Sequence, residues 1–394
     1  MGLQSAKRSE NKPVITAAAR LPIGRKKGAL ASLDGVGLGA EVLKKLGEAL
    51  PSGSDDISDV ILGNTLSHYG NPARVAALKA GYGTNVPALT IDRQCGSGIN
   101  AVTLAASLSQ TQDGIYVAGG MESMTHEPLQ LAPPRRSFDF TSVKPLRREL
   151  STEAVGDPTM GQTAENVARM FSISRGEQDE YALRSQERYQ RAKELGKYED
   201  FVIAMELPHG EEFTEDEHPR PDTSIEKLSK LRPAFDVQGT VTAGNASGLN
   251  DGAAAVVVTG SSLAKERDLP VLAEVGRTVV SGVDPNTMGL GPVPAIKELL
   301  SRTGRSIDSY DFIEINEAFA VQTLACIKEL GLDVEKVNPN GGAIAHGHPI
   351  AATGCILVQK VISELRSRGG GSAIVSACIG GGQGIATEIK VKGE

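Results

Sequence analysis

Cys95 is the residue whose setting most clearly indicates chemistry. It follows a predicted strand at residues 89–92 and precedes Gly96 and Gly98, which open a predicted helix. The start of a helix carries partial positive charge and free N–H groups, and we expect both to lower the pKa of the thiol. This position predicts a nucleophile, although a free cysteine is more often a small buried apolar residue.

Two histidines lie in a glycine-rich segment, residues 341–349. Gly347 separates His346 from His348, and Pro349 follows. Such a segment suits a loop that carries an imidazole into a cleft, where it can act as the general base of a thiol. A metal site would need a third ligand, and none lies nearby in the sequence. A capping or core histidine remains the alternative.

Two further polar positions end predicted strands. Cys378 follows a strand at residues 373–377 and precedes Gly380, an arrangement that mirrors the one around Cys95. Alone it would indicate packing, but the mirrored position favours a functional role. Asn316 also ends a strand, where it is either a turn or helix cap or an amide that positions a water or a carbonyl.

The elements that must position these residues follow one order in two parts of the chain. Each part has a strand with Asn at its tip, a helix, a reactive loop, a second helix and a second strand. The strands of the first part are predicted at residues 60–64 and 114–120, and those of the second at residues 312–316 and 372–377. This order predicts two similar α/β halves with largely parallel central sheets. The more polar residues 122–239 indicate an insertion between them.

Composition narrows the class of protein. The 394 residues, 40% hydrophobic and 23% charged, indicate an ordinary globular protein of two or more domains. The net charge of −7 argues against a general nucleic-acid binder. Cys326 and Cys355 lie in helical patterns, and the absence of any C-x-x-C pair predicts reduced thiols in a cytoplasm. We expect no signal peptide and no membrane helix.

Seven segments together resemble the thiolase family, in family order and over essentially the whole chain. They are residues 92–98, 119–124, 160–166, 241–252, 316–319, 347–349 and 378–382. The resemblance implies two similar βαβαβαββ halves in a five-layered α-β-α-β-α arrangement with an inserted loop domain. The implied divisions are an N-terminal half at 1–121 completed by about 250–272, a CoA-binding loop domain at 122–249, and a C-terminal half at 273–394.

The resemblance also implies a role for each candidate catalytic residue. Cys95 would take the acyl group as a thioester, and His348 would remove the proton of its thiol. Cys378 would remove the α-proton of the second acyl-CoA or protonate the leaving enolate. Asn316, through a water, and His348 would form one oxyanion site, and the N–H groups of Cys95 and Gly380 another. No metal or redox cofactor is implied, because coenzyme A thioesters are substrates.

Six positions match the CoA tunnel of related enzymes: Met160, Arg220, Phe235, Ser247, Met288 and Phe319. Arg220 suits a phosphate of the nucleotide, and Phe235 with the methionines suits adenine and the pantetheine arm. A basic run within residues 135–148 would either raise the local concentration of anions or form a solvated surface loop.

The Cys-Gly-Ser-Gly form of the Cys95 segment resembles acetoacetyl-CoA thiolases. We therefore expect reversible condensation of two acetyl-CoA to acetoacetyl-CoA and CoA, by a homodimer or homotetramer. Two departures from the family, Thr159 and His346, are expected near the pocket and leave chain length open. The alternatives are a thiolase for longer 3-ketoacyl-CoA in β-oxidation, a non-catalytic acyl or lipid carrier, and a decarboxylating ketoacyl synthase.

Overall fold

A computed structural model of the chain describes residues 11–393 except 52, 140, 142 and 209. The strands are β1 (Pro13–Arg20), β2 (Gly24–Arg25), β3 (Ile57–Gly63), β4 (Ala88–Ile91), β5 (Ile115–Ser123), β6 (Met205–Glu206), β7 (Glu212–Phe213), β8 (Asn250–Gly260), β9 (Ala273–Gly282), β10 (Phe312–Ile315), β11 (Gly371–Ile379) and β12 (Gln383–Val391). The helices are α1 (Gly35–Glu48), α2 (Pro72–Lys79), α3 (Ser97–Thr111), α4 (Met160–Phe171), α5 (Arg175–Glu194), α6 (Ile225–Ser229), α7 (Ser261–Glu266), α8 (Pro292–Thr303), α9 (Ala320–Leu330), α10 (Ala343–His346) and α11 (Ile350–Ser367).

Two groups of strands in the large sheet share one topology. The sheet runs β10-β11-β12-β9-β1-β8-β5-β3-β4, with β2 paired to β8. In the first half, β3 pairs parallel with β5, β5 antiparallel with β8, and β8 antiparallel with β1. The strands β10, β11, β12 and β9 repeat this pattern in the second half. The prediction of two similar halves is confirmed.

The sheet is mixed, so the prediction of largely parallel sheets is wrong. Among the described strands, parallel ladders join only β3 to β4 and β5, and β10 to β11. A tight turn links β11 to β12, with Gly381 at φ +86° and Gly382 at φ +85°. Such a turn returns the chain beside itself, so the next strand must be antiparallel. The glycines are visible in the sequence, but the strand beside which they return the chain is not.

Five layers result from the way helices cover this sheet. Helices α3 and α11 lie between the two halves, in a core that contains Ile99 and Ile356 together with sheet residues such as Val256 and Val375. Helices α1 and α2 pack on the outer face of the first half. Helices α8 and α9 pack on the outer face of the second. The α-β-α-β-α arrangement agrees with the prediction.

The segment between β5 and β8 carries α4, α5, α6 and the small β6–β7 ladder. Helix α4 packs Ala164 and Val167 against Val321 and Ala325 of α9. Helices α4 and α5 both begin with a reciprocal capping box, which satisfies free N–H groups at each start. No helix in the described part of the chain combines the length and apolarity needed to cross a membrane.

The two central helices cross at a pair of glycines. A Cβ on Gly98 of α3 would lie 2.6 Å from the backbone nitrogen of Cys355, and one on Gly354 of α11 would lie 2.4 Å from that of Ile99. Real Cβ atoms do not approach backbone this closely, so any side chain would push the helices apart. Because Cys95 and His348 precede these two helices, the crossing also sets how near the two residues lie.

Replacing Gly354 by alanine should therefore destabilise the protein by about 1–3 kcal/mol, the usual cost of overpacking a core. Urea unfolding measures the change. Gly176→Ala is the matched control, because Gly176 lies in α5 with only Ser174 Oγ near its Cβ position, at 3.9 Å. That control should be unchanged or more stable by up to about 1 kcal/mol. Equal stability of Gly354→Ala and wild type would show that the crossing is not tight.

Candidate active site

Cys95 lies at a sharp bend between β4 and α3. The preceding residue, Gln94, has φ +46°, a left-handed conformation that is costly for a residue with a side chain. Asp92 supports the bend, because its Oδ1 accepts hydrogen bonds from Gln94 N at 2.9 Å and from Gln94 Nε2 at 2.8 Å. Ser97 Oγ accepts from Arg93 N at 2.8 Å. The bend directs the Cys95 side chain into a cavity.

His348 comes from the other half of the molecule and meets Cys95 there. Its Nε2 lies 3.2 Å from Cys95 Sγ and 3.5 Å from Asn316 Nδ2. Its Nδ1 lies 2.6 Å from Thr353 Oγ1. Its backbone N–H donates to Asn250 Oδ1 at 2.9 Å. A thiol and an imidazole in this contact can exchange a proton directly.

The remaining predicted catalytic residues surround this pair. Gly380 lines the same cavity as Cys95, and its backbone N–H favours the Cys95 thiolate. Asn316 is fully buried, and within the described chain its Oδ1 has no hydrogen-bond partner. Cys378 is also fully buried, and it shares an apolar cluster with Met288. The structure therefore brings Cys95, His348, Asn316 and Gly380 together, and Cys378 lies close enough to Cys95 for the Cys95 sulfur to raise the pKa of its thiol.

A cavity of about 300 Å³ opens onto Cys95, His348 and Gly380. Five of the six predicted CoA positions line it: Met160, Phe235, Ser247, Met288 and Phe319. The rings of Phe235 and Phe319 pack edge to face, with centroids 6.1 Å apart. The walls are therefore mainly apolar, as a site that excludes water requires.

Arg220 does not line this cavity. It lies in a separate hollow of about 180 Å³, beside Lys227 and Asp222. The cation of Lys227 is paired with Asp222 at 2.6 Å. Arg220 thus lies apart from the other five predicted CoA positions and can contact only a ligand that extends beyond the catalytic cavity.

Burial disfavours charge on both reacting groups. It raises the pKa of Cys95 to about 11, although the Gly380 N–H opposes the shift. It lowers the pKa of His348 to about 4. The pKa of Cys378 is raised well above its usual value by burial and then by Cys95. The expectation that the helix start lowers the pKa of Cys95 is wrong, because loss of solvation is the larger effect. The resting pair is neutral thiol and neutral imidazole.

Asn250 and Thr353 position His348, and the sequence analysis missed both roles. Asn250 accepts from the His348 backbone and donates through Nδ2 to Gly24 O at 3.0 Å. A Cβ on Gly347 would lie 2.7 Å from the Asn250 side chain, so only glycine fits there. Asn250 falls in a segment quoted for the thiolase resemblance, which was a usable signal. The sequence contains no comparable signal for Thr353, because only the course of helix α11 brings its hydroxyl to His348.

Two buried carboxylates hold the loops around the site. Glu317 accepts from Tyr181 at 2.9 Å and Ser185 at 2.7 Å, which ties α5 to the loop before α9. Glu122 accepts from Thr65 Oγ1 at 2.6 Å and from the backbone N–H of Ala351 at 3.3 Å. Burial raises the pKa of Glu122 to about 7. Both glutamates lie in quoted segments, but only the tertiary structure shows what they contact.

The two departures from the family pattern have different positions. Thr159 lines the catalytic cavity, where its hydroxyl also closes the capping box of α4. His346 is buried, with Nδ1 2.8 Å from Gly347 O, and it is not among the residues that line the cavity. Thr159 therefore lies at the pocket as expected, and His346 lies two residues from His348 without lining the cavity. In the described chain, no three or more His, Cys, Asp or Glu side chains are grouped to hold a metal ion.

Two family models match the chain. The thiolase N-terminal domain matches residues 13–262, and the thiolase C-terminal domain matches residues 269–391. Acetyl-CoA acetyltransferase of Cupriavidus necator is 43% identical over 390 residues, which cover 96% of this chain and 99% of the relative. Acetyl-CoA acetyltransferase of Pseudomonas aeruginosa is 42% identical, covering 95% and 98%.

Solved structures agree with these matches. The crystal structure of Bacillus anthracis acetyl-CoA acetyltransferase has a TM-score of 0.88 and 41% identity, covering 97% of this chain and 99% of the other. Human mitochondrial 3-ketoacyl-CoA thiolase in complex with CoA has a TM-score of 0.91 and 39% identity, covering 97% and 98%. With both domains and whole-length relatives matched, this chain belongs to the thiolase family.

Proposed function

We propose that this thiolase is an acetyl-CoA C-acetyltransferase, which interconverts two acetyl-CoA with acetoacetyl-CoA and CoA. The contact of 3.2 Å between Cys95 Sγ and His348 Nε2, at the wall of an apolar cavity, carries the proposal. The names of the two bacterial relatives support the choice of acetyl groups. The contact between Cys95 and His348 would serve any acyl-CoA. The preference for a given acyl length therefore depends on the shape of the cavity and not on these two residues.

The first half-reaction transfers an acetyl group to Cys95. His348 takes the proton of the thiol as the sulfur attacks the thioester carbonyl, and the carbon–sulfur bond to CoA then breaks. The proton passes from His348 to the leaving CoA sulfur, so the resting imidazole is restored. The N–H groups of Cys95 and Gly380 stabilise the oxyanion, and losing one such donor typically costs about a hundredfold in rate or more.

The second half-reaction forms the carbon–carbon bond. Cys378 passes its thiol proton to His348 and, as the thiolate, removes an α-proton from the second acetyl-CoA. The resulting enolate attacks the acetyl carbonyl, and the leaving Cys95 sulfur takes the proton from His348. The enolate oxygen is held by the Nε2–H that His348 carries after taking the Cys378 proton, and by a water on Asn316, whose Oδ1 is buried and has no protein partner in the described chain. A thiol whose pKa is raised by burial is a stronger base once ionised, which suits abstraction from carbon.

A longer-chain 3-ketoacyl-CoA thiolase is the second candidate, and one observation favours it. A groove of about 400 Å³ lies beside the catalytic cavity, and Met124 lines both. Leu66, Leu129 and Leu146 contribute apolar surface to the groove. Met124 would then lie between a short acyl group in the catalytic cavity and the groove, which a longer acyl chain could enter. A methionine side chain is flexible, so it is a weak barrier to that chain.

We also propose a homodimer or homotetramer, working in a cytoplasm and binding CoA esters and not nucleic acid. Strand β4 forms one edge of the large sheet. Two leucines near this edge are exposed: Leu89 on β4 to 42% and Leu78 on α2 to 43%. An apolar sheet edge of this kind is normally covered. Light scattering of the purified protein should give at least a dimer, and a monomer at micromolar concentration would contradict this.

Mixing the protein with acetyl-CoA should add one acetyl group, located on Cys95 by mass spectrometry of peptides. Cys95→Ser should give no adduct, because a serine hydroxyl beside a weakly basic imidazole is a poorer nucleophile. Cys378→Ala should still be acetylated but should not form acetoacetyl-CoA. A wild-type protein that binds acetyl-CoA without any adduct would instead indicate the carrier alternative.

Steady-state cleavage should favour acetoacetyl-CoA over 3-ketooctanoyl-CoA. Met124→Ala should raise the ratio of kcat/KM for the longer substrate to that for the shorter by about tenfold, because even one methylene group gained or lost in an apolar pocket is worth about 1–3 kcal/mol. Met170→Ala is the control, since Met170 is 61% exposed on α4 and should leave the ratio unchanged. A wild-type preference for the longer substrate would establish the second candidate.

A further inference from the structure

We propose that Thr353 is a positioning residue that fixes the tautomer of His348, so that the site is a Cys95–His348–Thr353 chain. The inference rests on the proposed function, in which His348 is the general base, and adds Thr353 as the residue that orients it. Thr353 Oγ1 lies 2.6 Å from His348 Nδ1, and Thr353 has no exposed surface. A contact this short between buried polar atoms is a hydrogen bond and not a chance approach.

The hydrogen atoms can be assigned from the partners. To accept the proton of Cys95, Nε2 of His348 must carry a lone pair, so the neutral ring must hold its hydrogen on Nδ1. That N–H needs an acceptor, and the Thr353 hydroxyl oxygen is the one it meets. In the other tautomer, Nε2 would carry the hydrogen and could not accept the proton of Cys95.

The hydroxyl is held in place by the helix that begins beside the histidine. Thr353 lies in the first turn of α11, where its backbone N–H donates to Pro349 O at 3.3 Å. A β-branched side chain in a helix has few χ1 rotamers. Asn250 fixes the His348 backbone from the opposite side. Both ends of the hydrogen bond are therefore in position before substrate arrives.

A hydroxyl orients the ring without charging it. A carboxylate at this position, as in Ser-His-Asp sites, would stabilise the imidazolium and raise its pKa. Here burial alone lowers the pKa of His348, to about 4. A weakly basic ring returns its proton readily to the CoA sulfur, which the first half-reaction requires.

Thr353→Val and Thr353→Ser test the proposal in the full-length protein. Valine keeps the shape and removes the acceptor, whereas serine keeps the acceptor. The rate of Cys95 acetylation is measured as the burst of CoA released in rapid-mixing experiments. This rate should fall by about tenfold to a hundredfold in Thr353→Val, because a general base accelerates such a step by about 10²–10⁴-fold and the variant loses part of that acceleration. KM for acetyl-CoA should not change, and Thr353→Ser should stay close to wild type.

Thr259→Val is the matched control, because Thr259 is fully buried in β8 and donates to Gly114 O at 2.8 Å. It should lose stability without losing acetylation rate. A Thr353→Val protein that is acetylated as fast as wild type, or a Thr353→Ser protein as slow as Thr353→Val, would overturn the proposal.

Nitrogen NMR of histidine-labelled wild-type protein reads the tautomer directly and does not depend on a Thr353 variant that folds. The wild-type signal of His348, identified by its absence in His348→Gln, should show hydrogen on Nδ1. Hydrogen on Nε2 at rest would refute the role of Thr353. Failure of wild type to be acetylated would instead refute the proposed function, so the two failures are distinguishable.

Discussion

The close crossing of α3 and α11 is the constraint on which the site depends. Gly98 and Gly354 let the two helix backbones touch, and the reactive residues Cys95 and His348 precede those helices directly. The helices belong to opposite halves of the molecule, yet they form one layer. A separation of even an ångström would break the contact between thiol and imidazole, because proton transfer needs hydrogen-bond distance. Packing between small residues therefore determines chemistry several residues away.

Exclusion of water is the second condition. Burial removes the stabilising solvent from both reacting groups, so the thiol and the imidazole are neutral at rest. In the proposed acetyl transfer, charge develops when the substrate carbonyl becomes an oxyanion that faces the N–H of Gly380. Donors fixed in advance act more strongly in such surroundings than in water. The same burial explains why the hydrogen bonds of His348 end on neutral partners, Asn250 and Thr353, and not on a carboxylate.

Polar anchors keep the loops in place around this dry cavity. Glu317 binds side chains of α5, and Glu122 ties the loop after β3 to the start of α11. Each is a buried acid surrounded by donors, and removing one donor would leave an unpaired polar group inside the protein. The inserted segment is thus joined to the catalytic loops by hydrogen bonds as well as by apolar packing. Met160 and Phe235, both from the inserted segment, also line the cavity.

Sequence alone determined the candidate reactive residues, the order of strands and helices, and the family, because these depend on local patterns such as the glycines that follow Cys95. It also indicated five of the cavity residues through the thiolase resemblance. The mixed pairing of the sheet, the raised pKa of Cys95, the distant location of Arg220 and the role of Thr353 were decided only by the tertiary structure. Strand pairing, solvation and hydrogen-bond partners are set by groups remote in the chain, so no local pattern contains them.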